Sequence, residues 1–209
     1  NNYFVDLGRC SGILPKDQII PGEKLEMGSS VKVYVSKLEI GPKGPFIMLS
    51  RSHYGFVKRL LEIEIPELSD GTIMLYSVAR DAGSRSKIAV YTEYTNVDPI
   101  GAVIGEKGRR IANVLKELSG EKIDVILYDK DPVKFIANAL SPAKDVKVSI
   151  KDETKKEALA LVNDKNLSLA IGKKGQNVKL ASRLTHYKIE VKPEEQENTE
   201  TTEETSVEE

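Results

Sequence analysis

The chain has 209 residues, with 31 Lys/Arg, 32 Asp/Glu, a single Cys and no Trp; 40% are hydrophobic and 30% charged. That is the balance of a globular chain with room for one large domain or two to three small ones. No apolar run approaches the roughly 20 residues a bilayer span requires, and the lone Cys10 excludes an intramolecular disulfide or a cysteine-built metal cluster, in keeping with a cytoplasmic protein. The net charge of −1 is divided unevenly. Residues 193–209 hold eight Glu and no Lys or Arg, so residues 1–192 carry 31 basic against 24 acidic side chains, a net of +7. A basic body with an acidic tail has the charge pattern of a polyanion binder that carries its own competitor.

From the N-terminus, Tyr3–Leu7 and Ser11–Leu14 read as strands, and a polar loop with Pro15 and Pro21 follows. Val31–Val35 alternates with period two, Gly41–Pro45 is a turn cluster, and Phe46–Ser50 is a fourth strand. Four short strands without a substantial helix predict a small β-barrel, or part of one, over residues 1–51. Residue 1 is Asn and no signal segment follows it, so the expectation is a piece of a longer protein. Cys10 reads as a small buried residue.

At His53 the period changes. Phe56, Val57, Leu60, Leu61 and Ile65 lie on one helix face, and Pro66 is expected to end that helix. Two strands follow, over 72–79 and 87–92, joined by a long polar turn from Arg80 to Arg85. Asp98-Pro99 opens a short helix with a capping carboxylate and a proline at its first position. A second helix spans Arg109–Leu118, Gly120 stops it, and 122–128 is a strand. The order α-β-β-α-α-β over residues 52–129 then repeats over 130–192. The second copy has a helix from Pro132 to about Leu140, strands over 145–150 and 158–162, helices over 167–171 and 177–184, and a last strand over 187–192. The predicted architecture is α+β and multidomain: the barrel segment, two α-β-β-α-α-β units, and an acidic tail over 193–209 too poor in apolar residues to offset its ordering entropy.

The two units share one motif at the same place. Ile104-Gly105-Glu106-Lys107-Gly108 and Ile171-Gly172-Lys173-Lys174-Gly175 lie 67 residues apart, each between two helices. Glycine at both ends lets backbone approach a ligand closely or take positive φ, and N–H groups at the start of a helix attract phosphate. Arg109, Arg110 and Lys107 add charge to the first loop, and Lys173 and Lys174 to the second. Gln176 and Asn177 carry amides able to read base or sugar groups. Ile104 and Ile111 flank the first loop and Ile171 and Val178 the second; most of their surface is expected in the core, with the remainder as a floor for unstacked bases. Because Glu106 stands where the second loop has Lys173, the second loop is expected to grip the harder.

No catalytic constellation is legible. The loops lack the Gly-x-x-x-x-Gly-Lys-Ser/Thr order of a phosphate-loop enzyme. His53 and His186 have no ligand spacing around them and read as surface or packing residues, and neither a cofactor nor a metal is expected. Arg80, Arg85 and Lys87 are expected to pack the barrel against the first unit rather than touch RNA.

With their glycine loops, the two units resemble tandem KH domains of type II, whose Gly-x-x-Gly loop clamps about four nucleotides of backbone. Ala79–Val90, Val97–Gly105 and Leu167–Val178 resemble the corresponding segments of the bacterial NusA family of transcription factors, and residues 1–51 are similar to that family's S1-type OB barrel. The resemblance implies binding of single-stranded nascent RNA during pausing, termination and antitermination, by a monomer. Contact with RNA polymerase is implied mainly through an N-terminal domain that this sequence lacks, and other elongation and antitermination factors are implied as further partners. An S1-type barrel has five strands and four are read here, so an open barrel edge is expected. Two other readings remain: the RNA-binding accessory region of a ribonucleolytic enzyme such as a polynucleotide phosphorylase, which would place a single KH unit before its barrel, and a protein-interaction scaffold with degenerate KH loops.

Overall fold

The structure, a computed structural model, describes residues 1–195. Strands β1 (Asn2–Asp6), β2 (Ser11–Pro15), β3 (Tyr34–Gly41) and β4 (Gly44–Ser50) form a sheet in the order β1-β2-β4-β3. β1 and β3 are its edges, so the barrel is open, and Phe4, Leu38 and Ile40 stand exposed on those two strands. Strand β3 lies further along the chain than the alternation at 31–35 suggests. The tight turn at Pro42-Lys43 sets Gly41 opposite Gly44, and this register carries β3 back only to Tyr34. Cys10 is exposed in the β1–β2 connection, correcting its reading as buried; the preceding residues turn back there, with Leu7 N–H donating to the Cys10 carbonyl.

The first unit consists of α1 (Tyr54–Glu64), α2 (Pro66–Asp70), β5 (Met74–Asp81), β6 (Arg85–Tyr91), α3 (Pro99–Ile104), α4 (Arg109–Lys116) and β7 (Lys122–Leu127), the expected α-β-β-α-α-β order with the short α2 added after α1. Pro66 closes α1 and also begins α2, at the first helical position, where a missing N–H costs nothing. Asp98 precedes α3 but its side chain caps no N–H, so the helix start rests on Pro99 alone. The turn between β5 and β6 is tight, because Arg80 and Asp81 pair with Ser86 and Arg85 and extend both strands. The second unit consists of α5 (Pro132–Ala139), β8 (Lys147–Asp152), β9 (Glu157–Val162), α6 (Asp164–Ile171), α7 (Gln176–Thr185) and β10 (Lys188–Pro193). Here the caps are made: Asp131 accepts from Val133 N–H, and Asn163 from Asn166 N–H. Of the tail, Pro193 belongs to β10 and Glu194 N–H donates to the Val162 carbonyl. The expectation of disorder beyond Glu195 falls outside the described residues.

Both units carry a three-stranded sheet with one antiparallel and one parallel pair, β5-β6-β7 and β10-β9-β8. The first sheet is covered on both faces, which explains why β6 is buried almost throughout. Ile88 and Val90 point into a core with Leu61, Val103 and Val114 of α1, α3 and α4. Between them Ala89 faces the other way, with Ala79 and Ile126, into a core supplied by α5 and α7 through Phe135, Leu180 and Leu184. Helices α5 and α7 are thus shared filling between the two sheets, and the units form one stacked body. The barrel segment joins through Ile20, which lies in the first unit's core, and through a buried ion pair. Arg51 Nε donates to Glu23 Oε1 at 2.8 Å, and its guanidinium lies over the Phe56 ring. Burial pushes the Glu23 carboxyl up, but the hydrogen bonds from Arg51 and Ile20, the Arg51 charge and Ser119 outweigh it and hold the group below its ordinary value.

Candidate nucleic-acid interface

The two glycine loops have the same backbone. Gly105 has φ 76° and ψ 174°, Gly172 has 76° and 171°. Lys107 and Lys174 are left-handed at φ 52° and 54°, and Gly108 and Gly175 follow at 72° and 73°. Each first glycine donates to the carbonyl four residues back, Gly101 or Ser168, at 2.9 Å, and each second glycine donates to the first at 3.1 Å. A side chain at the first position has no room: a Cβ on Gly105 would lie 2.7 Å from Arg110 Cγ, and one on Gly172 would lie 2.8 Å from Asn177 Cβ. Both loops therefore turn the chain sharply into an eight- or ten-residue helix and leave the two central side chains exposed at its positive end.

The residues singled out from sequence separate into three groups. Lys107, Arg109, Lys173 and Lys174 are exposed and form no ion pair among the described residues, as does Lys179, one turn beyond Gly175, which sequence reasoning did not single out. Glu106 is exposed beside Lys107 and reduces the positive charge of the first loop. Ile104 is 37% exposed and Ile171 half-buried, while Ile111 and Val178 pack partly against the two cores. The third group is committed inside the protein. Arg110 Nη1 donates to Glu67 Oε2 and to the Ala102 carbonyl, both at 2.8 Å, so it braces the first loop rather than offering a free cation. Asn177 is 3% exposed, and its Nδ2 donates to the carbonyls of Leu140 and Ala170. Gln176 Nε2 donates to Asp81 Oδ2 at 2.6 Å and to Ser84 Oγ at 2.7 Å, across the boundary between the units. Asp81 and Ser84 were not legible as neighbours of the second loop, since nothing local in the chain relates them to Gln176.

The basic hairpin is also committed to packing. Arg80 pairs with the buried Glu121 and donates to the His53 carbonyl, and Arg85 and Lys87 pair with Asp124. Gly83 in the turn lies against Pro21 of the barrel segment. His53 caps α1, its Nδ1 accepting from Gly55 N–H, and stacks on Tyr34 and Tyr54. Among the described residues no group of three or more His, Cys, Asp or Glu is placed to hold a metal ion, and no helix is long and apolar enough to cross a membrane.

Residues 51–128 match the family described as a NusA-like first KH domain, and residues 132–199 the NusA-like second KH domain. The chain is 50% identical over 191 residues to the transcription termination/antitermination protein NusA of Halalkalibacterium halodurans, a match that covers 91% of this chain and 50% of that protein. The proteins of the same name from Bacillus subtilis and Thermus thermophilus are 49% and 47% identical, over 91% and 90% of this chain and 51% and 48% of their own. The chain spans about half the length of these relatives.

Proposed function

The chain belongs to the NusA family through its paired KH domains, and we propose that it is the RNA-binding part of a cytoplasmic transcription termination/antitermination factor, with both glycine loops guiding one single strand of nascent RNA. The observation that carries this reading is the identical backbone of two loops that each leave unpaired cations at a helix start. Phosphates rest against Gly105–Gly108 and Gly172–Gly175, and the exposed parts of Ile104 and Ile171 support unstacked bases. Lys173, Lys174 and Lys179 make the second loop the stronger electrostatic contact; the first has Lys107 and Arg109 against Glu106. Holding RNA in this way shifts pausing and hairpin formation by competition rather than by chemistry, so no catalytic group is assigned. RNA polymerase and other elongation factors are the further partners this reading carries. The polynucleotide phosphorylase reading is not favoured, because the barrel segment precedes two KH units.

Lys173→Asp/Lys174→Asp and Lys107→Asp variants, titrated with single-stranded RNA across a salt series, test the proposal. The double variant loses the more affinity, and each phosphate contact removed flattens the log–log salt slope by about 0.7. Unchanged affinity in a folded double variant sinks the loop-clamp reading.

A further inference from the structure

We propose that Gln176, locked by Asp81 and Ser84 of the first unit, presents a fixed hydrogen-bond acceptor beside the second loop and selects bases bearing an exocyclic amino group over uracil. The inference rests on the RNA-binding reading and narrows it to base chemistry. A glutamine amide offers two N–H donors and one carbonyl acceptor. Both donors of Gln176 are engaged, one by Asp81 Oδ2 and one by Ser84 Oγ. Rotating the amide by half a turn would set Oε1 against the Asp81 carboxylate, which has no proton to give, so the carboxylate dictates which end of the amide points outward. Oε1 of Gln176 has no hydrogen-bond partner among the described residues and is not sealed from solvent, and the residue as a whole is half-buried.

The side chain is held in place as well as in orientation. Gln176 is the first residue of α7, directly after Gly175, and α7 is packed on the first sheet through Leu180, Ala181 and Leu184. The loop's phosphate site and this acceptor are therefore carried by adjacent residues at the start of a rigid element. Next to it, the second oxygen of Asp81 is a further acceptor. Cytosine and adenine present an amino group with two hydrogens to such a pair, whereas uracil places the carbonyl O4 where cytosine has its N4 amino group and meets the acceptors with lone pairs. The first loop is built differently: Arg109 occupies the place of Gln176, is exposed, and can only donate. Asp81 and Ser84 are positioning residues in this arrangement, acting on RNA through Gln176.

The test uses the whole 209-residue chain and two probes of equal length, oligocytidylate and oligouridylate, titrated by fluorescence anisotropy at one salt concentration. The unaltered protein binds the cytidine probe about tenfold more tightly, the discrimination one well-made base contact supplies. Gln176→Leu removes the acceptor, and Asp81→Ala frees the amide to rotate; each brings the two affinities to within about twofold. Lys173→Asp/Lys174→Asp weakens both probes and leaves their ratio in place. A ratio near one in the unaltered protein, or a ratio unmoved in both Gln176→Leu and Asp81→Ala, overturns the proposal while leaving RNA binding intact. Failure of the unaltered protein to bind either probe overturns the RNA-binding reading itself.

Discussion

Lys87 Nζ lies 2.9 Å from Asp124 Oδ2 and 2.8 Å from the Ser141 carbonyl oxygen, fully sealed from solvent. Lys87 and Asp124 belong to the first KH unit and Ser141 to the second, so one buried ammonium ties the two together. Burial pulls the Lys87 ammonium below its ordinary value, against the opposing pull of Asp124. Removing one partner of such a buried pair strands the other's polar groups. Lys87→Met therefore lowers unfolding free energy by about 3 kcal/mol, read as a lower urea midpoint. Truncating Arg59, whose pair with Glu62 is 60% exposed on the arginine side, leaves the urea midpoint almost unmoved, because solvent screens such a pair.

Acid should destabilise the protein through Asp124 and Glu23. Burial alone would raise the Asp124 carboxyl, but hydrogen bonds from Arg85 and Lys87 and their charges hold it below its ordinary value, as Arg51 does for Glu23. Between the depressed folded value and the ordinary unfolded one, the unfolded chain binds more protons, so stability rises with pH there. The contribution is complete above the ordinary carboxylate range and is lost as pH falls through the folded values. Urea midpoints measured from about pH 7 down to 2 decline over that window, and Asp124→Asn or Glu23→Gln flattens the decline.

The two glycines of the second loop differ in what they tolerate. At Gly172 an alanine meets both positive φ and a 2.8 Å contact with Asn177 Cβ and N, whereas at Gly175 it meets positive φ with open space, Lys179 Cε being 3.8 Å away. Gly175→Ala costs about 1 kcal/mol, with RNA affinity largely kept. Gly172→Ala costs about 2–3 kcal/mol, since the helix start must shift as well, and single-stranded RNA affinity falls with it. Equal effects of the two substitutions would show that the close approach at Gly172 has no role.

Ala89 and Ala181 are fully buried where the first sheet meets α7. Their small size lets the helix lie close enough for Gln176 to reach Asp81. Ala89→Leu overpacks this seam and destabilises by about 1–3 kcal/mol. Faster amide exchange in α7 than in α1, which lies on the opposite face of the same sheet, is the expected signature.

The duplicated unit was legible because its signals are local. Glycine at positive φ, proline after Asp131, and the apolar period of Phe56 to Leu61 act over a few residues, and the structure places helices and strands close to where they point. Boundaries differ from the local pattern where pairing overrides it: the Gly41–Gly44 turn carries β3 along the chain, and the Arg80–Ser86 register lengthens the hairpin strands at the expense of the turn. Cys10 is exposed against the expectation from its residue type, because type alone does not say which face of a connection meets water.

Two like loops with unlike charge, Glu106-Lys107 and Lys173-Lys174, follow from residue types alone, because backbone permissiveness and formal charge belong to the residues themselves. Which neighbouring polar groups stay free for a ligand depends on packing between distant parts of the chain. Arg110 is spent on Glu67, Asn177 on Leu140, and the Gln176 donors on Asp81, across 43, 37 and 95 residues of chain. A hydrogen bond removes a donor from solvent whatever the sequence distance to its acceptor, and those acceptors come within reach only when α2, α5 and the β5–β6 turn are packed in place.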